Sequence, residues 1–100
     1  MADIQKLSDA EVRARLPEVP GWELHAGALQ KTFRFPSFVK AFGFMSSVAL
    51  IAEAMGHHPD WSNVYNRVTI ALNTHDVGGI SVLDFSLAKQ IDELGSPERV

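Results

Sequence analysis

The chain has 100 residues, 46% of them hydrophobic and 21% charged, a balance that fits one globular domain over residues 1–100 and argues against intrinsic disorder. Its formal net charge is −3, with 12 acidic against 9 basic residues, and the scattered Lys and Arg form no basic stripe, which argues against direct nucleic-acid binding. With no cysteine, disulfides, thiolate nucleophiles and Cys-rich zinc sites are excluded.

The opening Met-Ala-Asp-Ile-Gln-Lys lacks the charged-then-apolar layout of a secretory signal, so a soluble cytoplasmic protein is expected. The first helix starts at a capping box, Ser8 with Glu11 three residues on. Leu7 and Val12 are spaced for a hydrophobic staple across it. Pro17 and Pro20 stop this helix near Leu16. A strand begins at Trp22–Leu24, and His25-Ala26-Gly27 reads as a turn. Leu29, Phe33 and Phe35 then alternate with polar residues, which marks a half-buried second strand whose apolar face Lys31 interrupts. Pro36 ends it, and Ser37 can cap the next helix.

That helix, from Phe38 to Met55, is the longest element. Phe38, Phe42, Met45, Ala49, Ala52 and Met55 recur at helical spacing as its apolar face. Phe44, Val48, Leu50 and Ile51 widen that stripe, so burial on more than one side is expected, with a second subunit as one source of cover. Lys40, Ser46, Ser47 and Glu53 interrupt the stretch, which also falls short of the ~20 apolar residues of a membrane span. Next come Ser62–Tyr65, a turn near Asn66-Arg67, and the alternating strand Val68–Thr74. Gly78-Gly79 breaks the chain. Ser81 and Asp84 cap a last amphipathic helix with a core face of Leu87, Ile91 and Leu94, ended by Gly95. The order helix, two strands, helix, two strands, helix predicts an α+β fold: a four-stranded antiparallel sheet with three helices on one face.

Chemistry is concentrated at two junctions. His57-His58 follows the long helix, and His75 follows the last strand. Groups at element ends are held by the scaffold while open to a ligand. Histidine moves protons near neutral pH, and two imidazoles across a pocket can act as acid and base in turn. Glu53, one helical turn before His57, is a candidate to orient its ring. Pro59 restrains His58 to extended backbone, and Trp61 can offer a flat apolar wall to a planar ligand. Plainer readings stand beside these: His-His-Pro as a helix stop with solvated rings, Trp61 and Tyr65 as core or core edge, Ser81 and Asp84 as a simple cap, His25 as an exposed turn residue. His57, His58, His75, Asp60 and Glu53 also offer metal ligands in principle. Adjacent histidines, however, do not form the same-face i, i+4 pair of a helical zinc site, so no metal is expected.

The string His57-His58-Pro59-Asp60-Trp61, followed by Asn63-Val64-Tyr65-Asn66 and Val68, resembles the pterin-4a-carbinolamine dehydratase family. Thr74-His75-Asp76, the glycine pair and Ser81-Val82-Leu83-Asp84 resemble its second motif. Phe33-Arg34-Phe35 and Ala41-Phe42-Gly43-Phe44-Met45 match upstream. The resemblance implies a hydro-lyase that dehydrates 4a-hydroxytetrahydropterin to quinonoid dihydropterin, in recycling of the pterin of aromatic amino-acid hydroxylases. It implies catalytic His57, His58 and His75, and Glu53, Pro59, Trp61 and Asp84 lining or supporting the pocket. It implies no cofactor and assembly as a homodimer or homotetramer. Leu83 departs from the pattern, since its position is often basic in relatives. A second reading from the same resemblance is a non-catalytic binding module that stabilises the dimer of a partner protein.

Overall fold

The computed structural model describes residues 4–94. Helix α1 spans Asp9–Arg15 and runs into a 3₁₀ turn at Leu16–Glu18. Strands β1 (Glu23–His25) and β2 (Ala28–Arg34) precede helix α2 (Phe38–Met55). Strands β3 (Asp60–Val64) and β4 (Arg67–Leu72) follow, then a 3₁₀ turn at His75–Val77 and helix α3 (Val82–Leu94). The sheet order is β1-β2-β4-β3, antiparallel throughout, so the expected fold class is the observed one. The proposed glycine end of α3, Gly95, lies outside the described residues.

Local chemistry explains the boundaries. The Ser8 hydroxyl accepts from Glu11 N while the Glu11 carboxylate accepts from Ser8 N, the reciprocal cap read in the sequence. The Ser8 backbone N–H first, and the Ser8 hydroxyl second, hold the Glu11 carboxyl below the usual carboxylate range. Ala26 and Gly27 both take positive φ in the β1–β2 turn, the backbone that lets a two-residue hairpin follow strand twist. Ser37 caps α2 by accepting from Lys40 N.

The core lies between one face of the sheet and the helices. Leu29, Phe33, Val68, Ile70 and Leu72 point into it, while Thr32, Arg34, Asp60 and Ser62 are exposed. Helix α2 turns Ala41, Phe44, Val48 and Ala52 inward, with the Phe44 ring 4.8 Å from Phe33 and 4.9 Å from Phe35. This corrects the face read from spacing: Phe38 and Phe42 are exposed, at 48% and 56%, and Ala49 is exposed as well. The helix carries two apolar stripes of equal period, and only the packing of Phe44 against β2 chooses between them. Contrary to the expectation from its length, α2 is, over its 18 residues with a mean hydropathy of 1.5, long and apolar enough to cross a membrane by length and composition alone; here one side of it is built into the core. Leu87 and Ile91 of α3 are buried as expected, joined by Phe85 and Ala88, but Leu94 is exposed where the stripe outruns the core. Lys31 sits on the apolar face of β2 because its Nζ pairs with Asp92 of α3 at 3.0 Å and lies 4.9 Å from the centre of the Phe33 ring. Trp22 Nε1 donates to the same carboxylate at 3.1 Å, tying the sheet edge to α3.

Candidate active site

Two glycines in the left-handed conformation place the histidines. Gly56 ends α2 with φ 65°. Its N–H donates to Glu53 O, and the next N–H, that of His57, reaches back to Ala52 O. This paired closure satisfies the last helical carbonyls and fixes the His57 backbone where the chain leaves the helix. Gly78, with φ 70°, closes a loop in which Thr74 N donates to Gly79 O at 2.7 Å and Gly78 N to His75 O at 3.0 Å. His75 is carried on that loop, just beyond β4.

The two junctions meet around an open cavity of about 350 Å³, lined by Gly56, His57, His58, Asn73, Thr74, His75, Asp76 and Leu83. All three candidate histidines line it. His57 is buried, whereas His58 and His75 are exposed. His25 lies in the β1–β2 hairpin and is exposed, away from this lining.

The carboxylate beside His57 is Asp84, 27 residues away in sequence. His57 Nε2 lies 2.6 Å from Asp84 Oδ1. Asp84 is fully buried, and its other oxygen, Oδ2, accepts from Thr74 Oγ1 at 2.8 Å and from Ser81 N at 2.9 Å. Thr74 Oγ1 and Ser81 Oγ are 2.6 Å apart, and Ser81 Oγ accepts from Leu83 N at 3.1 Å. The Ser81–Asp84 cap is therefore real and has a second consequence, since the capping carboxylate also holds His57. A buried carboxylate with both oxygens engaged avoids the penalty of an unmatched charge.

Glu53 does not orient His57. Its Oε1 meets His58 Nε2 at 2.9 Å, in a pair whose side chains are 82% and 63% exposed, because the left-handed turn at Gly56 swings His57 away from the helical i, i+4 position. Such an exposed pair steers the ring weakly. Glu53, Pro59 and Trp61 do not line the cavity; Trp61 is half-buried on β3 and packs against the core. Leu83 does line it, so an apolar side chain stands at its wall. Asn73, Thr74 and Asp76 also reach the cavity; Thr74 and Asp76 belong to the second motif string around His75, and Asn73 was marked only by lying beside it. Among the described residues no three His, Cys, Asp or Glu side chains converge as a metal-binding group.

On this α+β scaffold the arrangement gathers one buried imidazole backed by a buried carboxylate and two more imidazoles within reach of solvent at a single cavity, groups of a kind that can exchange protons. The chain belongs to the pterin 4 alpha carbinolamine dehydratase family, whose model matches residues 5–94. It is 50% identical over 91 residues to a protein of Solibacter usitatus provisionally named pterin-4-alpha-carbinolamine dehydratase, covering 91% of this chain and 96% of that one. A Synechococcus protein with the same provisional name is 51% identical over 94 residues, covering 94% and 99%. Among solved structures, a Brucella melitensis protein described as a transcriptional coactivator/pterin dehydratase superposes with a TM-score of 0.88 at 36% identity, over 92% of this chain and all of that one.

Proposed function

We propose that this protein is a hydro-lyase that removes water from a 4a-hydroxytetrahydropterin, with His57, His58 and His75 as the groups that move protons or hold the substrate. The observation that carries this reading is the buried His57–Asp84 pair at the wall of a cavity shared with His58 and His75. The reaction breaks the C4a–O bond. The hydroxyl leaves as water after receiving a proton from a general acid, the N5 lone pair drives it out, and a base takes the N5 proton. The product is quinonoid dihydropterin. There is no net redox change, so imidazoles alone can carry the chemistry, and no cofactor is called for. Recycling of the pterin used by aromatic amino-acid hydroxylases, in the cytoplasm, is the role this activity fits.

The protein also self-associates in this reading, as a homodimer or homotetramer. The support is the outer stripe of α2, where Phe38, Val39, Phe42 and Leu50 stand 48%, 77%, 56% and 75% exposed. Large apolar side chains exposed together on one helix often mark an interaction surface, and closed symmetry is the common way to cover one. The same stripe favours the second reading, a binding module that stabilises a partner dimer, which also fits the coactivator description of the Brucella protein. Dehydration of a synthetic 4a-carbinolamine, followed spectroscopically, tests the first reading. No acceleration over buffer would refute it, and a partner-stabilising role retained after all three histidines become alanine would favour the second.

A further inference from the structure

The buried hydroxyls behind Asp84 have no place in the proton-transfer scheme above, yet their hydrogen bonds run in one direction. A carboxylate only accepts, and a hydroxyl has one hydrogen. Thr74 spends its hydrogen on Asp84 Oδ2. At the 2.6 Å contact with Ser81 Oγ it must therefore accept, and Ser81 donates. Ser81 Oγ in turn accepts from Leu83 N at the first turn of α3. The chain reads Leu83 N–H to Ser81, Ser81 O–H to Thr74, Thr74 O–H to Asp84. Ser81 N–H adds a second donor to Asp84 Oδ2. Thr74 is 5% exposed and Ser81 fully buried, so water does not compete for these bonds.

We propose that Thr74 and Ser81 are positioning residues: their one-way donor chain locks the Asp84 carboxylate so that Oδ1 accepts from His57 Nε2–H, which fixes the tautomer of His57 and leaves Nδ1 as the free proton acceptor at the cavity. With two donors held on Oδ2, the carboxylate cannot turn away from the ring, so Oδ1 stays in place as the acceptor facing His57 Nε2. The hydrogen bond at one ring nitrogen then decides which nitrogen keeps its lone pair. His57 Nδ1 has no hydrogen-bond partner among the described residues. No buried side-chain nitrogen or oxygen among those residues is left without one, so Nδ1 is not sealed in the interior, and His57 is one of the residues that line the cavity. The inference rests on the dehydratase reading for its catalytic meaning, since a ring with its proton on Nδ1 would present a donor where N5–H must be received.

Two readouts test it. The ring nitrogen-15 shifts of His57 near neutral pH report the tautomer without any substrate. The protonated nitrogen is expected to be Nε2 in the wild-type protein, with a second tautomer appearing in Thr74→Val. Steady-state dehydration of the carbinolamine is the other. Thr74→Val should lower kcat by about 10-fold or more with KM changed by less than about 2-fold, the pattern of a misplaced proton acceptor. Thr74→Ser, which restores the hydroxyl, should recover most of the loss. Ser81→Ala, which keeps the backbone donor to Asp84, should lose less and serves if Thr74→Val does not fold. A wild-type His57 protonated on Nδ1 would overturn the proposal, as would Thr74→Val or a folded Ser81→Ala with wild-type kcat and tautomer. A wild-type protein with the expected tautomer but no dehydration would instead sink the dehydratase reading and leave the positioning of His57 standing.

Discussion

Replacing Asp84 by asparagine tests the centre of the site with almost no change of shape. The two donors at Oδ2, Thr74 O–H and Ser81 N–H, require an oxygen on that side. The new amide must therefore turn its NH₂ toward His57 Nε2, 2.6 Å away in the native pair. Donor then faces donor, and the ring can relieve the clash only by moving its proton to Nδ1. The acceptor at the cavity is lost while the ring remains in place. In the serine-protease triad the equivalent change costs about 10⁴-fold in kcat, and loss of a positioned acid or base costs about 10²–10⁴-fold. A fall of about 10²–10⁴-fold in kcat is expected here, measured on the synthetic carbinolamine. The destabilisation should be about 1–3 kcal/mol in urea unfolding, because the three bonds to the carboxylate lose their charge assistance and the one to His57 is replaced by a poorer contact. Asp84→Ala is the less informative variant. It strands Thr74 O–H, Ser81 N–H and His57 Nε2–H together, at about 1–3 kcal/mol each, a sum comparable with the whole stability of a small domain. An Asp84→Asn protein with near wild-type kcat would refute the role given to the His57–Asp84 pair.

Four further outcomes are expected. His57→Ala and His75→Ala should each lower kcat by about 10–10⁴-fold, with the double variant far worse, while His58→Ala raises KM at least as much as it lowers kcat and His25→Ala changes neither; near wild-type turnover in the double variant would end the assignment. Phe42→Glu, at an exposed position of α2, should shift light scattering toward the ~11 kDa monomer with the fold intact, whereas Phe44→Glu and Val48→Glu should unfold the chain, since both are buried; a wild-type monomer at micromolar concentration would remove the oligomer. Dialysis against a strong chelator should leave dehydration unchanged, and activity restored only by zinc would revive the metal reading. The Glu11 carboxyl, held low first by the Ser8 backbone N–H and then by its hydroxyl, should titrate below the usual range by NMR. A lowered folded-state value stabilises the capped helix above the unfolded titration point and loses that contribution as pH falls through the folded one; a Ser8→Ala protein whose Glu11 titrates unchanged would separate the shift from the cap.

Elements whose cause is local were legible in the sequence. The Ser8–Glu11 box, the Pro36 stop with its Ser37 cap, the glycine breaks and the alternation of Val68, Ile70 and Leu72 are short-range signals, and each is where the sequence places it. The His57-His58-Pro59 and Thr74-His75-Asp76 strings mark the two junctions that line the cavity. Whatever depends on which surfaces meet was settled by packing instead. The period of α2 is satisfied by two stripes, and only the fit of Phe44 between Phe33 and Phe35 sends Phe38 and Phe42 outward. Helical spacing pairs Glu53 with His57, but the left-handed turn at Gly56 gives Glu53 to His58 and delivers His57 to Asp84. Ser81 and Asp84 read as a cap from three-residue spacing, which is a local fact. That the same carboxylate also holds an imidazole 27 residues upstream is a consequence of α3 docking against α2 and the end of β4, and no one-dimensional pattern records such an encounter.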